Sequence, residues 1–338
     1  MDIGKLPHQL LAEMLARLRL DDRVLVGPSI GIDATVIEFG ERLLVVKTDP
    51  VTFATDLIGW YAVNVNANDL AVMGADPKWM MVTLLLPAST SEKQISVLFD
   101  QLTAACAELD ISLVGGHTEI TYDLHRPIVV GCMLGETTHT RLVTASGARL
   151  GDDLILTKAI ALEGTALIAR EARDLLIQKG ISCELIDRAA NFLFDPGISV
   201  LRDAKVAQTA GHVTAMHDPT EGGLATGLME IAQASGLGLE IDSDAIPIFP
   251  ETREICRAFS LDALGLIASG SLLIASDPSD SSLILGALNN AGITARRIGR
   301  LMPRDYGLRM RSARGLDDLP LFKRDELARF FDECKPAT

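Results

Sequence analysis

Short apolar runs rich in β-branched residues alternate with longer segments of helical spacing along almost the whole chain, which leaves few architectures open. Leu43–Thr48 is such a run, Gly59–Met73 repeats at helical spacing, and Met80–Leu86 is a second run closed by Pro87. Ser91 followed by Gln94 is a capping-box signal for a helix to about Leu109, and Ile111–Val114 and Ile128–Leu134 read as further buried strands. An amphipathic helix over residues 8–20, with Leu10, Leu11, Met14, Leu15 and Leu18 on one face, opens the chain. The pattern predicts an α/β (α+β) protein.

At 338 residues the chain is long for one core and suits two domains. A polar, glycine-bearing stretch at about 145–152 precedes a fresh strand, Leu154–Thr157, so the expected division is 1–148 and 149–330, with a polar tail at 331–338. The second half repeats the alternation. Helices are expected at about 163–177, 183–194, 197–207, 222–235, 250–259 and 279–291, and strands near 212–216, 237–241, 271–275, 294–300 and 307–311. No fixed-period repeat or low-complexity tract is present.

The formal charge of −14 argues against nucleic acid as a partner, because phosphate-backbone binding relies on Lys and Arg displacing counterions. It suits an anionic nucleotide that arrives with a metal. The five cysteines (Cys106, Cys132, Cys183, Cys256, Cys334) have no paired spacing and suggest neither a zinc cage nor a disulfide framework. With no signal-peptide pattern at Met1–Pro7 and no bilayer-length apolar run, the expectation is a soluble, unprocessed protein of the cytoplasm, away from membranes.

The chemistry-bearing residues sit at strand and helix ends. Asp33 lies in Gly31-Ile32-Asp33-Ala34, just before the Val36-Ile37 run, where a turn aspartate and a ligand carboxylate are both consistent. Asp49 follows Leu43–Thr48, at the strand end where α/β proteins commonly place ligand groups. Asn64, Asn68 and Asp69 interrupt an otherwise apolar helix, so each must be satisfied by neighbouring backbone or by a polar ligand. Gly115-Gly116 reads as a tight turn that presents His117, Thr118 and Glu119; His117 and Glu119 are the acid–base candidates.

In the second half, Asp218-Pro219-Thr220-Glu221-Gly222-Gly223 precedes an apolar helix, whose N-terminus is a candidate anion site; the plainer alternative is that Thr220 or Asp218 caps it. Lys158, beyond Leu154–Thr157, is a candidate phosphate contact or a solvated surface lysine. Cys334 reads as an exposed, inert thiol.

In order and spacing these segments resemble the aminoimidazole-ribonucleotide (AIR) synthase superfamily, over almost the whole chain. Gly31–Ile37 is similar to its Gly-Asp-Asp-Ala-Ala-Val segment, Thr48-Asp49 to its Thr-Asp, and Asn68–Ala75 to its Asn-Asp-Leu-Ala helix. Asp218–Ala225 resembles the Asp-Pro-Thr-Arg-Gly-Gly-Leu-Ala of the hydrogenase-maturation (HypE-type) branch. The resemblance implies a two-domain protomer, a homodimer whose N-terminal sheets form an intersubunit β-barrel, and a C-terminal α/β domain. It implies ATP and Mg2+ as cofactors, with Asp33, Asp49 and Asp69 as metal ligands. Gly31, Asn68, Gly115, Gly116, Thr118, Lys158, Asp218, Thr220, Gly222 and Gly223 would contact the nucleotide.

The implied activity is phosphoryl transfer or dehydration at an oxygen of a small or protein-tail acceptor, with a maturation-protein partner. The alternatives are a small-molecule kinase similar to thiamine-monophosphate kinase, and a non-catalytic nucleotide-binding regulator or assembly partner. Two departures stand out: Ile32 replaces the first aspartate of the family's pair, and the chain ends Cys334-Lys335-Pro336-Ala337-Thr338 instead of Pro-Arg-Ile-Cys.

Overall fold

A computed structural model describes residues 6, 8–51 and 56–333. It divides into two compact units, one of Arg19–Pro28 with Asp33–Leu142, the other of the chain from Val143 onward with Ser29–Ile32 and the opening helix, α1 (His8–Leu15). The second unit thus begins ahead of the 145–152 stretch and also recruits two segments from the beginning of the chain.

The N-terminal unit is a mixed sheet of β1 (Val24–Val26), β2 (Thr35–Phe39), β3 (Arg42–Val51), β4 (Asp76–Pro87), β5 (Ser112–Thr121) and β6 (Ile128–Thr137), in the order β1-β2-β3-β6-β4-β5. Every pair is antiparallel except β4–β5. Two helices complete it, α2 (Ile58–Val72) and α3 (Glu92–Glu108), the latter starting at the full Ser91–Gln94 capping box. Helix α2 packs on β3, β6 and α3, and is buried on nearly every side. Its apolar residues therefore run all round the helix instead of forming one stripe.

The C-terminal unit is a seven-stranded sheet. Its strands are β7 (Asp153–Thr157), β8 (Val213–His217), β9 (Gly238–Asp242), β10 (Leu273–Ser276), β11 (Ala295–Met302), β12 (Leu308–Ser312) and β13 (Gly315–Asp318), in the order β13-β12-β9-β11-β7-β10-β8. Its helices are α4 (Leu162–Glu171), α5 (Arg173–Gln178), α6 (Cys183–Ala190), α7 (Leu201–Ala210), α8 (Gly223–Ser235), α9 (Pro250–Phe259), α10 (Pro278–Asn290) and α11 (Glu326–Glu333). Strands β7 and β8 are buried at every position, and the Leu154–Leu156 stretch of β7 is correspondingly all apolar.

Several expectations are corrected. The opening helix stops at Leu15, and the single helix expected over 163–177 is broken at Ala172 into α4 and α5. Gly115-Gly116 is not a turn: both residues lie inside β5, with φ of 156° and 151°, beside a register shift in the β4–β5 ladder. A Cβ on Gly116 would fall 1.9 Å from the Val82 carbonyl oxygen, so the glycine permits close approach of two strands. The polar tail does not begin at 331, because α11 continues to Glu333 and buries Phe330, with Arg324 paired to Asp332 and Arg329 to Glu333. Cys334 and the residues after it lie outside the described residues.

Candidate functional site

In the N-terminal unit, β3 lays Leu43, Val45, Lys47, Asp49 and Val51 along one face by strand alternation, and α2 packs on this strand. Leu43, Val45 and Val51 are buried, as a covered strand face requires. Lys47 and Asp49 break that apolar stripe, and both meet Asp69 of α2 through one ion-paired trio: Lys47 Nζ is 3.4 Å from Asp49 Oδ2 and 3.3 Å from Asp69 Oδ2. Asp69 is nearly buried, its side chain 5% exposed, while Asp49 and Lys47 keep partial contact with solvent.

Asn66 fixes Asp49 against the helix. Its Oδ1 accepts from the Asp49 backbone N–H at 3.0 Å, while Nδ2 donates to the Ala62 carbonyl at 2.8 Å and the Asp49 carbonyl at 3.4 Å. The amide fits because β6 carries Gly131 opposite Asp49; a Cβ there would lie 2.4 Å from Asn66 Nδ2. Thr48 Oγ1 donates to the Gly131 carbonyl at 2.7 Å and closes the same corner. Asn64 spends its amide on the Trp60 carbonyl at 3.0 Å, and Asn68 is fully buried on the same helix.

Asp33 is half-buried two residues before β2. Gly31 belongs to the other unit, where its φ of +76° and a Cβ position 2.9 Å from the Glu230 carbonyl give it a packing reason to be glycine. His117 and Glu119 stand on β5 with Nε2 and Oε2 3.4 Å apart, both largely exposed, and Thr118 is exposed between them. Strand β5 is the sheet's edge; Val114 and Ile120 on it and Trp79 and Met81 on β4 leave apolar surface exposed.

In the C-terminal unit the segment after β8 turns through Gly222 (φ +80°) into α8. No side chain caps the helix at Gly222; instead the Gly222 N–H donates to Asp325 Oδ2 at 2.6 Å, so a carboxylate already takes one of the exposed donors. Thr220 supplies its carbonyl to the N–H groups of Gly223 (3.0 Å) and Ala268 (3.3 Å). Burial pushes the Asp325 carboxyl up to about 6, against the hydrogen bonds from Gly222, Leu327 and Ile267, and nearby Glu221 raises it further.

Glu163 of α4 is buried close by; burial pushes its carboxyl up to about 8, a Ser269 hydrogen bond opposes this, and Glu221, Asp325 and Asp218 reinforce it. Asp218 is buried in the same negative surroundings, and beside it His217 pairs with Glu230 at 2.9 Å.

Lys158 is not a solvated surface lysine. Its ammonium is buried, donating to the Ser199 carbonyl at 2.6 Å and the Gly197 carbonyl at 3.3 Å, and it lies 3.4 Å from Asp203 Oδ2. Burial lowers its pKa while Asp203 holds it up. Asp203 also accepts from Thr157 Oγ1 at 2.7 Å, so lysine and aspartate tie β7 to α7.

The residues that sequence reasoning missed are Lys47, Asn66, Glu163 and Asp325. Lys47 had a signal: it shares the parity of Leu43 and Val45 on an apolar strand. Asp325 had none, since it reaches Gly222 from a point 103 residues further along the chain.

Two family models match the chain. The AIR synthase related protein N-terminal domain covers residues 31–137 and the corresponding C-terminal domain covers residues 149–310. A putative hydrogenase expression/formation protein of Methanocaldococcus jannaschii is 26% identical over 332 residues, 94% of this chain and 95% of its own. Carbamoyl dehydratase HypE of Cupriavidus necator is 28% identical over 260 residues, 75% and 70% of the two chains. Thiamine-monophosphate kinase of Pyrococcus horikoshii is 27% identical over 239 residues, 68% and 71%.

Among solved structures, a HypE–HypF complex matches with a TM-score of 0.74 at 19% identity, over 93% of this chain and 99% of that one. HypE in complex with ATP matches at 0.71 and 21% identity, over 94% and 91%. At these identities the structures speak for the fold. With both domain models matched in order over most of the chain, the chain belongs to the AIR synthase related family.

Proposed function

We propose that this protein is an ATP- and Mg2+-dependent enzyme that transfers the γ-phosphoryl group of ATP to an oxygen of a small or protein-attached acceptor. The observation that carries the reading is the Asp49–Asp69 pair, two carboxylates from β3 and α2 that converge on a single cation, the Lys47 ammonium. All-oxygen donors of this kind suit a hard divalent ion. Asp49 and Asp69, with Asp33, would hold Mg2+, which neutralises charge on the phosphoryl groups when bound. Asn66 orients Asp49, and the burial of Asp69 keeps competing water from its carboxylate.

The ATP-bound HypE relative supports the nucleotide, and the HypE–HypF complex supports a maturation-protein partner. A homodimer is supported by the exposed apolar edge of β4 and β5, which a second copy would cover as a barrel. In this reading His117 and Glu119 serve the acceptor side as acid–base groups. A small-molecule kinase is the second reading, favoured by the likeness to thiamine-monophosphate kinase.

The test is calorimetric titration with a non-hydrolysable ATP analogue, with and without Mg2+, on wild type, Asp49→Asn and Asp69→Asn. Magnesium-dependent binding lost in both variants is the expected result. Unchanged affinity in both removes the assignment of these carboxylates, and no binding by wild type removes the enzyme.

A further inference from the structure

Lys47 stands on the covered face of β3 in line with Leu43, Val45 and Val51, a place where an unpartnered ammonium is costly. It is held by two carboxylates at once, at 3.4 Å and 3.3 Å, and its own side chain is 21% exposed against 5% for Asp69. Two carboxylates carry two negative charges and the ammonium returns one, so the trio keeps a residual charge of about −1, with Asp69 nearly buried and Asp49 and Lys47 partly exposed. A divalent ion on the same oxygens would set its two charges a few ångströms from the ammonium. An ammonium is also a compact point charge on a flexible stem, able to move to a phosphate oxygen when one is near.

We propose that Lys47 is a tethered counter-ion that excludes free divalent cations from the Asp49–Asp69 pair, so that metal enters only together with a polyphosphate whose oxygens draw the ammonium off. The inference rests on the reading of Asp49 and Asp69 as metal ligands and adds which cation holds them before nucleotide arrives. It makes uptake of metal and nucleotide a single event, and protects the pair from occupation by whatever divalent ion is abundant.

The experiment is Mn2+ titration of the full-length protein, followed by the electron paramagnetic resonance signal of free Mn2+, without nucleotide. Lys47→Met is expected to bind one Mn2+ at least about tenfold more tightly than wild type, as removal of a like charge a few ångströms away implies. Lys47→Arg keeps the charge and should behave as wild type, and adding Asp69→Asn to Lys47→Met should abolish the gained site. Equal Mn2+ uptake by wild type and Lys47→Met overturns the proposal.

If Lys47→Met does not fold, wild type and Asp69→Asn are compared by thermal melting with and without MnCl2. An equal response of the two is expected, and a metal-dependent rise present in wild type and lost in Asp69→Asn overturns the proposal. Titration with the ATP analogue is read separately: its failure removes the enzymatic reading and leaves the comparison of Mn2+ sites standing.

Discussion

Asn66 clamps Asp49 through both of its backbone polar groups, accepting from the Asp49 N–H at 3.0 Å and donating to the Asp49 carbonyl at 3.4 Å. A helix side chain thereby does the work of a neighbouring strand, and the carboxylate above it is held toward Asp69 by backbone position. Removing the amide leaves a backbone donor and acceptor without partners in a covered corner. Asn66→Ala is expected to cost about 1–3 kcal/mol of stability, read by urea denaturation, and to weaken Mg2+-dependent nucleotide binding. Full stability with unchanged binding would show that the clamp does not position Asp49.

Gly131→Ala attacks the same clamp from the opposite strand. The added methyl would lie 2.4 Å from Asn66 Nδ2 and 2.8 Å from the end of Met80. Met80 can give way, whereas Asn66 can do so only by breaking its bonds to Asp49. A loss of about 1–3 kcal/mol is expected. In a double-mutant cycle with Asn66→Ala the loss in the double variant should be smaller than the sum of the two single losses; simple additivity would refute the shared mechanism.

Glu163 makes a pH-dependent contribution whose sign is fixed by its environment. Its folded carboxyl is raised from 4.5 to about 8, so between those values the folded state holds a proton that the unfolded chain has released. Stability must fall as pH rises across that window. Glu163→Gln, neutral throughout, should be more stable than wild type at pH 8, on the order of a few kcal/mol, and similar to it at pH 4.5. Parallel stability profiles for the two proteins between pH 6 and 8 would contradict the burial argument.

Lys158 is expected to act on folding. Lys158→Met keeps the length of the side chain but leaves Asp203 buried without its counter-charge, and loss of one partner of such a pair costs about 3–5 kcal/mol. Chemical denaturation should show this, with Asp203→Asn recovering part of the loss in the Lys158→Met background. A Lys158→Met protein of normal stability and reduced nucleotide affinity would return the lysine to the phosphate-contact role.

The strand and helix rhythm was legible because burial itself has a period. Strand β7, buried at every position, reads as an apolar run over Leu154–Leu156, and the Ser91–Gln94 box marked the start of α3 to the residue. Elements without such a signature were missed. Strand β13 is Gly315-Leu316-Asp317-Asp318, exposed throughout and a strand only through its pairing with β12. Gly115-Gly116 looked like a turn because a glycine pair signals a backbone need without saying which one; at Gly116 the need is close packing on β4, where an added Cβ would fall 1.9 Å from the Val82 carbonyl oxygen.

The sequence by itself determined the α/β pattern, the family and the acidic residues worth examining, since these are local in the chain or carried by motifs at recognisable spacing. Only the tertiary structure decided what those residues face. Asp49 meets Asp69 through Lys47 because β3 and α2 pack together, and Gly222 meets Asp325 across 103 residues because α8 and the start of α11 share one unit. Charge interactions at a solvated surface are screened beyond about 8–10 Å, so which acid finds a cation, and which is left to hold its proton as Glu163 does, is set by packing that no local spacing encodes.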